Sequence, residues 1–127
     1  MGAGADSDGA HVVLIVDDDD DIRETVQLAL QMDNHSTALA ADGSEALDWL
    51  GRHRPPCLIL LDLMMPFVDG WQVIEQLRQD DRLAQVPVVV ITAFNRDLGS
   101  AAALPILRKP IELSDLLSVT NNYGCVG

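Results

Sequence analysis

The sequence has few basic residues. Lys and Arg together number 8 in 127 residues, against 20 Asp and Glu, and the formal net charge at pH 7 is -12. Binding to nucleic acid or to an anionic lipid surface requires positive charge that neutralises phosphate groups, and this excess of acid repels them. The composition therefore predicts no direct binding to nucleic acid and no binding to a membrane.

Cysteine and long apolar runs are also scarce. No apolar run approaches the ~20 residues of a membrane span, and Asp6 and Asp8 stand where a signal peptide needs basic charge. Cys57 lies in an apolar stretch and Cys125 near the end of the sequence, which predicts a core residue and an unpaired thiol instead of a disulfide. The three histidines share no metal-site spacing and are predicted at the surface. These features favour a cytoplasmic protein.

The sequence does contain a regular alternation of strand and helix patterns. Apolar residues make up 48% of the chain, enough for the core of one domain. The alternation predicts an α/β fold, a doubly wound five-stranded parallel sheet with helices on both faces. We expect a disordered lead at 1–10, the domain at 11–120 and a tail at 121–127. The predicted strands are 12–16, 36–40, 58–61, 88–91 and 105–108.

The stretch from Cys57 to Gly70 is the most informative. Leu58 to Leu61 is an apolar run without alternation, typical of a strand buried on both faces of a parallel sheet. Asp62 follows it with a leucine on either side. Because a carboxylate there is costly to desolvate unless a cation or hydrogen-bond donors meet it, Asp62 is a candidate site residue. The alternative is an aspartate that caps or turns the chain where the strand ends.

Polar residues follow three other predicted strands. Asp17 and Asp18 follow the first strand, Thr92 follows the fourth and Lys109 follows the fifth. Sites in a doubly wound sheet form at the carboxyl ends of the strands, so we expect these side chains to lie near Asp62. Clustered carboxylates call for a divalent cation, and oxygen ligands suit Mg²⁺. With one ammonium and one hydroxyl group, the set is suited to phosphoryl transfer onto a carboxylate.

Four motifs occur in order along the sequence: Val-Leu-Ile-Val-Asp-Asp at 13–18 with Asp-Ile-Arg-Glu at 21–24, Asp-Leu-Met-Met-Pro-Phe-Val-Asp-Gly at 62–70, Val-Ile-Thr-Ala at 90–93, and Lys-Pro at 109–110. Together they resemble the receiver domains of bacterial two-component response regulators, the CheY-like family. The resemblance covers roughly residues 11–120 and implies a flavodoxin-like, receiver-type fold.

The resemblance also implies a role for each candidate residue. Asp62 would be phosphorylated in a Mg²⁺-dependent reaction, and Thr92 and Lys109 would contact the phosphoryl oxygens. The implied Mg²⁺ ligands are Asp18, Asp62 and the backbone carbonyl of Met64, with Asp17 acting mainly through water.

Partners are implied in the same way. The family's phosphodonor is a phosphohistidine on a sensor histidine kinase or a phosphotransfer protein, and it is expected to dock against residues 22–31. Phosphorylation would then switch the binding of an unknown downstream protein. No separate substrate is expected, so the protein is not predicted to be an enzyme beyond its own phosphorylation and dephosphorylation.

Two features depart from the family pattern. Ile106 stands where the family usually has Tyr or Phe, whose ring changes rotamer on phosphorylation. Only 17 positions separate Thr92 from Lys109, fewer than usual by roughly one and a half helical turns. Gly99 and Pro105 weaken a helix there further. We therefore expect a short or irregular fourth helix and an altered output face.

Two alternatives stay open, and the departures favour the first of them. The first is a degenerate receiver that acts as a protein-interaction module without being phosphorylated. The second is a Mg²⁺ phosphatase with an aspartyl nucleophile, of the haloacid dehalogenase type. Such enzymes carry a second Asp two residues after the nucleophile, where this sequence has Met64, which argues against the second alternative.

Overall fold

The computed structural model describes residues 12–94 and 97–123. Five parallel strands form one sheet in the order β2-β1-β3-β4-β5. The strands are β1 (Val12–Val16), β2 (Ser36–Ala40), β3 (Leu58–Asp62), β4 (Val88–Thr92) and β5 (Ile106–Arg108). The α-helices are α1 (Asp20–Met32), α2 (Gly43–Arg52), α3 (Gly70–Gln79) and the C-terminal helix (Leu113–Asn122). The predicted doubly wound five-stranded parallel sheet of an α/β fold is confirmed.

Apolar layers on both faces of the sheet bury its central strands. Ile59 and Leu61 belong to the layer that contains side chains of α2 and α3. Leu58 and Leu60 belong to the layer that contains side chains of α1 and the C-terminal helix. Each fully buried side chain of this size contributes about 1.5–3 kcal/mol of transfer free energy. Burial on two faces explains why β3 reads as a continuous apolar run.

Acidic caps fix where the helices begin. Asp19 is the N-cap of α1 and accepts hydrogen bonds from the backbone N–H groups of Asp21 and Ile22. The helix therefore begins at Asp20. At α3, Asp69 and Gln72 form a reciprocal capping box. Caps of this kind contribute about 1 kcal/mol each, and these two lie directly after the loops that follow β1 and β3.

Between β4 and β5, where the short or irregular helix was predicted, the described residues form one 3-10 turn, Gly99–Ala101. The prediction of a short or irregular helix is therefore confirmed. Trp71 of α3 fastens the turn, since its indole Nε1–H donates to the carbonyl of Leu98 at 2.7 Å. Residues 95 and 96, between β4 and this turn, lie outside the described residues.

Two features outside the strands differ from prediction. The C-terminal helix continues to Asn122, two residues into the predicted tail. Cys57 is disulfide-bonded, so the prediction that it carries no disulfide is wrong. Asn121 Nδ2 lies 3.5 Å from Asp33 Oδ2, and Asp33 comes just before β2. The C-terminal helix therefore ends at the amino edge of the sheet. Cys57 lies at the same edge, directly before β3. Cys125 lies outside the described residues, as does the predicted lead at 1–10.

A histidine is more buried than predicted. The side chain of His35 is nearly inaccessible, and its Nε2 lies 3.4 Å from Asp33 Oδ2. Its backbone N–H donates to Leu30 as the chain turns from α1 into β2, so the surface prediction for His35 is wrong. Within residues 12–94 and 97–123, no helix has both the length and the apolar character to cross a membrane.

Candidate functional site

Three carboxylates meet at the carboxyl edge of the sheet. In the register of β1 and β3, Val16 pairs with Leu61, so the residues that follow them, Asp17 and Asp62, lie side by side. One ligand oxygen from each of Asp17, Asp18 and Asp62 lies within 4.8 Å of the others. Asp17 and Asp62 are buried, whereas Asp18 is exposed. The edge predicted from strand order therefore does bring the acids together.

Lys109, the only lysine of the chain, lies between the two buried acids. Its Nζ is 3.1 Å from Asp17 Oδ2 and 3.5 Å from Asp62 Oδ2. Desolvation by burial lowers the pKa of Lys109, but the hydrogen bond to Asp17 and the charges of Asp62 and Asp17 outweigh it, and the net pKa is raised. The ammonium therefore stays charged at physiological pH.

The pKa of Asp62 is unusually high for an aspartate. Burial is the main cause that raises its pKa from 3.8 to about 7, and the negative charge of Asp17 adds to the effect. The charge of Lys109 and the N–H of Met64, 3.2 Å from Asp62 Oδ1, oppose it only in part. A carboxylate with this pKa lacks compensating positive charge.

The donor set fits a divalent cation. When ionised, the three carboxylates and the one ammonium leave two negative charges in a small volume. Asp17 Oδ2 is buried and, among the described residues, has no hydrogen-bond partner apart from its ion pair with Lys109. All three side chains offer the oxygen ligands that Mg²⁺ prefers. Met64 contacts Asp62 through its N–H, so the ligand role of its carbonyl stays a prediction.

Thr92 lies at the same edge, at the end of β4. It is fully buried, and its carbonyl accepts the backbone N–H of Lys109 at 3.0 Å. In the sheet register, Asp62 pairs with the preceding residue, Ile91. The Thr92 hydroxyl accepts a hydrogen bond from the N–H of Phe94 at 2.9 Å. The backbone thus joins Thr92 to Lys109, while its hydroxyl is held by the loop after β4.

Two supporting residues were not predicted. Arg23 of α1 donates to the carbonyl of Asp17 at 2.7 Å, which fixes the loop after β1. Gly70 begins α3 so close to β3 that an added Cβ would lie 2.5 Å from the Asp62 carbonyl. The sequence signal for the glycine is its place after the N-cap Asp69, but a close approach between segments is visible only in the fold.

Comparison with known proteins identifies the family. Residues 13–121 match the family described as the response regulator receiver domain. The response regulator MprA of Mycobacterium avium is 42% identical over 116 residues, which cover 84% of this chain and 47% of that protein. The transcriptional regulatory protein AfsQ1 of Streptomyces coelicolor is 38% identical over 92 residues, which cover 72% of this chain and 39% of that protein.

A solved structure agrees with the sequence comparison. The chemotaxis protein CheY4 of Vibrio cholerae superposes with a TM-score of 0.81 at 27% identity, and the match covers 91% of this chain and 99% of that one. The chain spans less than half the length of the two curated relatives. By sequence and by fold, it belongs to the family of response regulator receiver domains.

Proposed function

We propose that Asp62 accepts a phosphoryl group in a Mg²⁺-dependent reaction and that its phosphorylation switches the binding of a downstream protein. The observation that carries the proposal is the cluster of Asp17, Asp18 and Asp62 within 4.8 Å, with the Lys109 ammonium beside it. Phosphoryl transfer depends mainly on positioning and charge neutralisation, and this cluster has the groups for both.

The proposed donor is a phosphohistidine. An Asp62 carboxylate oxygen attacks the phosphorus atom, an O–P bond forms, and the P–N bond to the imidazole breaks. The electron pair of that bond stays on the imidazole nitrogen. Lys109 neutralises a phosphoryl oxygen, and the Thr92 hydroxyl donates a hydrogen bond to another. The acyl phosphate that results is later hydrolysed, which returns Asp62.

The residues proposed to hold Mg²⁺ are Asp18, Asp62 and the carbonyl of Met64, with Asp17 acting through water. When bound, the ion supplies positive charge to the phosphoryl oxygens during transfer. The raised pKa of Asp62 supports this assignment, because neighbouring positive charge would favour the ionised carboxylate that attacks.

The family points to the class of donor protein. We propose a sensor histidine kinase or a phosphotransfer protein that docks on α1, over residues 22–31. An apolar cavity of about 260 Å³ lies beside this helix and is lined by Ile22, Val26, Ala29 and Leu116. Lys109 also lines the cavity, so a protein seated there would reach the edge of the acid cluster. A cytoplasmic location follows from this donor class.

Further assignments stay predictions. The domain is taken as residues 11–120, and no substrate other than the phosphodonor is proposed. The excess of acid predicts that this stretch does not bind nucleic acid. AfsQ1 is named a transcriptional regulatory protein, but the chain spans only 39% of it. How the whole protein acts on its target is therefore a separate question from the chemistry of Asp62.

The second candidate function is an interaction module that is not phosphorylated. Two observations favour it: aliphatic Ile106 occupies β5, and the fourth helix is one 3-10 turn. The intact acid cluster favours the first candidate. A phosphatase with an aspartyl nucleophile is disfavoured by Met64, and hydrolysis of an aryl phosphate would test for that activity.

Intact-protein mass spectrometry tests the proposal. The protein is incubated with acetyl phosphate and Mg²⁺, with EDTA in place of the metal as one control. Asp62→Asn is the test variant, and Asp69→Asn, at the N-cap of α3 in the same loop, is the matched control. We expect one phosphate-sized gain that needs Mg²⁺ and is lost only in Asp62→Asn. A gain that persists in Asp62→Asn would contradict the assignment.

A further inference from the structure

A chain of contacts leads from Thr92 to α3. The N–H of Phe94 donates to the Thr92 hydroxyl at 2.9 Å. The ring of Phe94 packs edge to face against Trp71, with centroids 5.7 Å apart and planes at 85°. Trp71 Nε1–H donates to the carbonyl of Leu98 at 2.7 Å. Two aromatic residues therefore connect the proposed phosphate ligand Thr92 with the 3-10 turn.

Helix α3, which carries Trp71, is anchored at two points. Arg78, two helical turns along α3 from Trp71, donates to the carbonyl of Ser100 at 3.1 Å. The first residue of α3, Gly70, donates its N–H to Leu63 at 3.0 Å, directly after β3. Helix α3 is thus fixed to the strand that carries Asp62 and holds the 3-10 turn through two side chains. A displacement of Phe94 would therefore act on Trp71, whose indole is held by its bond to Leu98.

The backbone of Phe94 is held by the site from both sides. Its N–H donates to Thr92, and its carbonyl accepts a hydrogen bond from Arg108, the residue before Lys109. The bond from Phe94 uses a lone pair of the Thr92 hydroxyl oxygen, so the hydroxyl proton stays free to be donated to a phosphoryl oxygen. When Oγ1 itself moves towards a phosphoryl oxygen, the N–H of Phe94 must follow it or lose this bond. If Phe94 follows Oγ1, its ring moves relative to Trp71, which it now contacts edge to face.

We propose that Phe94 and Trp71 are positioning residues that couple the Thr92 hydroxyl to the 3-10 turn Gly99–Ala101. The inference rests on the proposed phosphorylation of Asp62. The coupling would transmit phosphorylation of Asp62 to a surface on the α3 side of the sheet. The residue of β5 that the family uses for this purpose is Ile106 here, and it has no aromatic ring. The surface that changes is formed by α3 and the turn that Trp71 and Arg78 hold.

Tryptophan fluorescence tests the coupling. The other tryptophan, Trp49, stacks on His53 at 4.3 Å and takes no part in the chain of contacts. The Trp49→Phe variant therefore leaves Trp71 as the single reporter. Mg²⁺ and beryllofluoride, a phosphoryl mimic, are added, and phosphorylation by acetyl phosphate is measured in parallel by mass. We expect a change in Trp71 emission that requires both the metal and the mimic.

Substitutions at Phe94 decide whether the ring carries the signal. In the Trp49→Phe background, Phe94→Leu keeps the backbone N–H but removes the edge-to-face contact, and we expect the emission change to fall at least about threefold. Phe94→Tyr should restore it. Thr92→Val should abolish it and Thr92→Ser should retain it, because only serine keeps the hydroxyl.

The outcomes separate this inference from the proposed function. A phosphate-sized mass gain with an emission change that depends on Phe94 supports the coupling. A mass gain with no emission change, or with a change that Phe94→Leu leaves intact, overturns the coupling and leaves phosphorylation of Asp62 standing. No mass gain with acetyl phosphate and no response to beryllofluoride overturns both.

Discussion

The ammonium of Lys109 lies closer to Asp17, at 3.1 Å, than to Asp62, at 3.5 Å. The proposed nucleophile therefore shares its nearest cation with a neighbouring acid. This sharing is one reason why the charge of Lys109 offsets only part of the effect of burial and the pKa of Asp62 reaches about 7. Among the described residues, the positive charge at the site does not balance the negative charge of its acids.

Removing the ammonium should make the cluster unstable. Lys109→Met leaves two buried carboxylates facing each other, and we expect a loss of about 2 kcal/mol in the free energy of unfolding in EDTA at pH 8. Millimolar Mg²⁺ should restore part of it, since a cation that binds only the folded state stabilises that state. Urea unfolding measures both effects.

The control is Arg52→Met in an exposed pair with Asp48, with an expected loss below about 0.5 kcal/mol. A Lys109→Met variant that Mg²⁺ does not stabilise would contradict the account.

The raised pKa of Asp62 predicts a pH-dependent gain from its removal. The folded protein holds the Asp62 proton up to a pH of about 7, whereas the unfolded chain releases it near pH 4. Stability contributed by this group is therefore lost as pH rises from about 4 to 7. In EDTA, Asp62→Asn should stabilise the protein by roughly 2–3 kcal/mol more at pH 8 than at pH 5. Asp48→Asn, at an exposed site, should show equal effects at both values. The prediction fails if the gain at Asp62 is the same at pH 5 and pH 8.

The loop after β3 contains a strained residue. Phe67 has a φ of 65° and a side chain that is 93% exposed. Because left-handed backbone costs an L-residue about 1–2 kcal/mol and the exposed ring adds no core packing, Phe67→Gly should stabilise the domain by about 0.5–1 kcal/mol. Asn34→Gly, with a φ of 67°, should gain less, since asparagine tolerates this conformation. Thermal unfolding compares the two, and a destabilised Phe67→Gly would show that the ring packs.

The close approach of α3 to β3 predicts opposite effects at two glycines. In Gly70→Ala the new Cβ would lie 2.5 Å from the Asp62 carbonyl and 2.7 Å from Leu63 Cα, both backbone atoms. We expect a loss of at least about 2 kcal/mol and slower phosphorylation by acetyl phosphate. Gly51→Ala in α2 meets open space and should gain about 0.5–1 kcal/mol. Equal effects at both positions would mean that the contact between α3 and Asp62 is not tight.

Much of the fold follows from local pattern. Apolar runs such as Leu58–Leu61 identify strands buried on two faces, and acids such as Asp19 and Asp69 mark where helices begin. The order of strands and helices then places Asp17 and Asp62 at one edge, because parallel strands end on the same side. The short spacing between Thr92 and Lys109 also predicts the loss of a regular fourth helix.

Features that depend on contacts between distant segments were not predictable. The disulfide of Cys57 and the burial of His35 depend on tertiary packing that the sequence pattern does not show. The bond from Arg23 to Asp17 and the fit of Gly70 against β3 depend on side-chain direction and on distances of a few ångströms. Such packing has no periodic signal in the sequence.

Chemical mapping of the phosphorylated residue tests the central claim most directly. An acyl phosphate is reduced by borohydride to the corresponding alcohol, so phosphorylated aspartate becomes homoserine. Trypsin cleavage after Arg23 and Arg52 places Asp17 and Asp18 in one peptide and Asp62 in another. After treatment with acetyl phosphate and Mg²⁺, we predict homoserine at position 62 and only aspartate at positions 17 and 18. Homoserine at 17 or 18, or its absence at 62 in protein that has gained phosphate, would contradict the account.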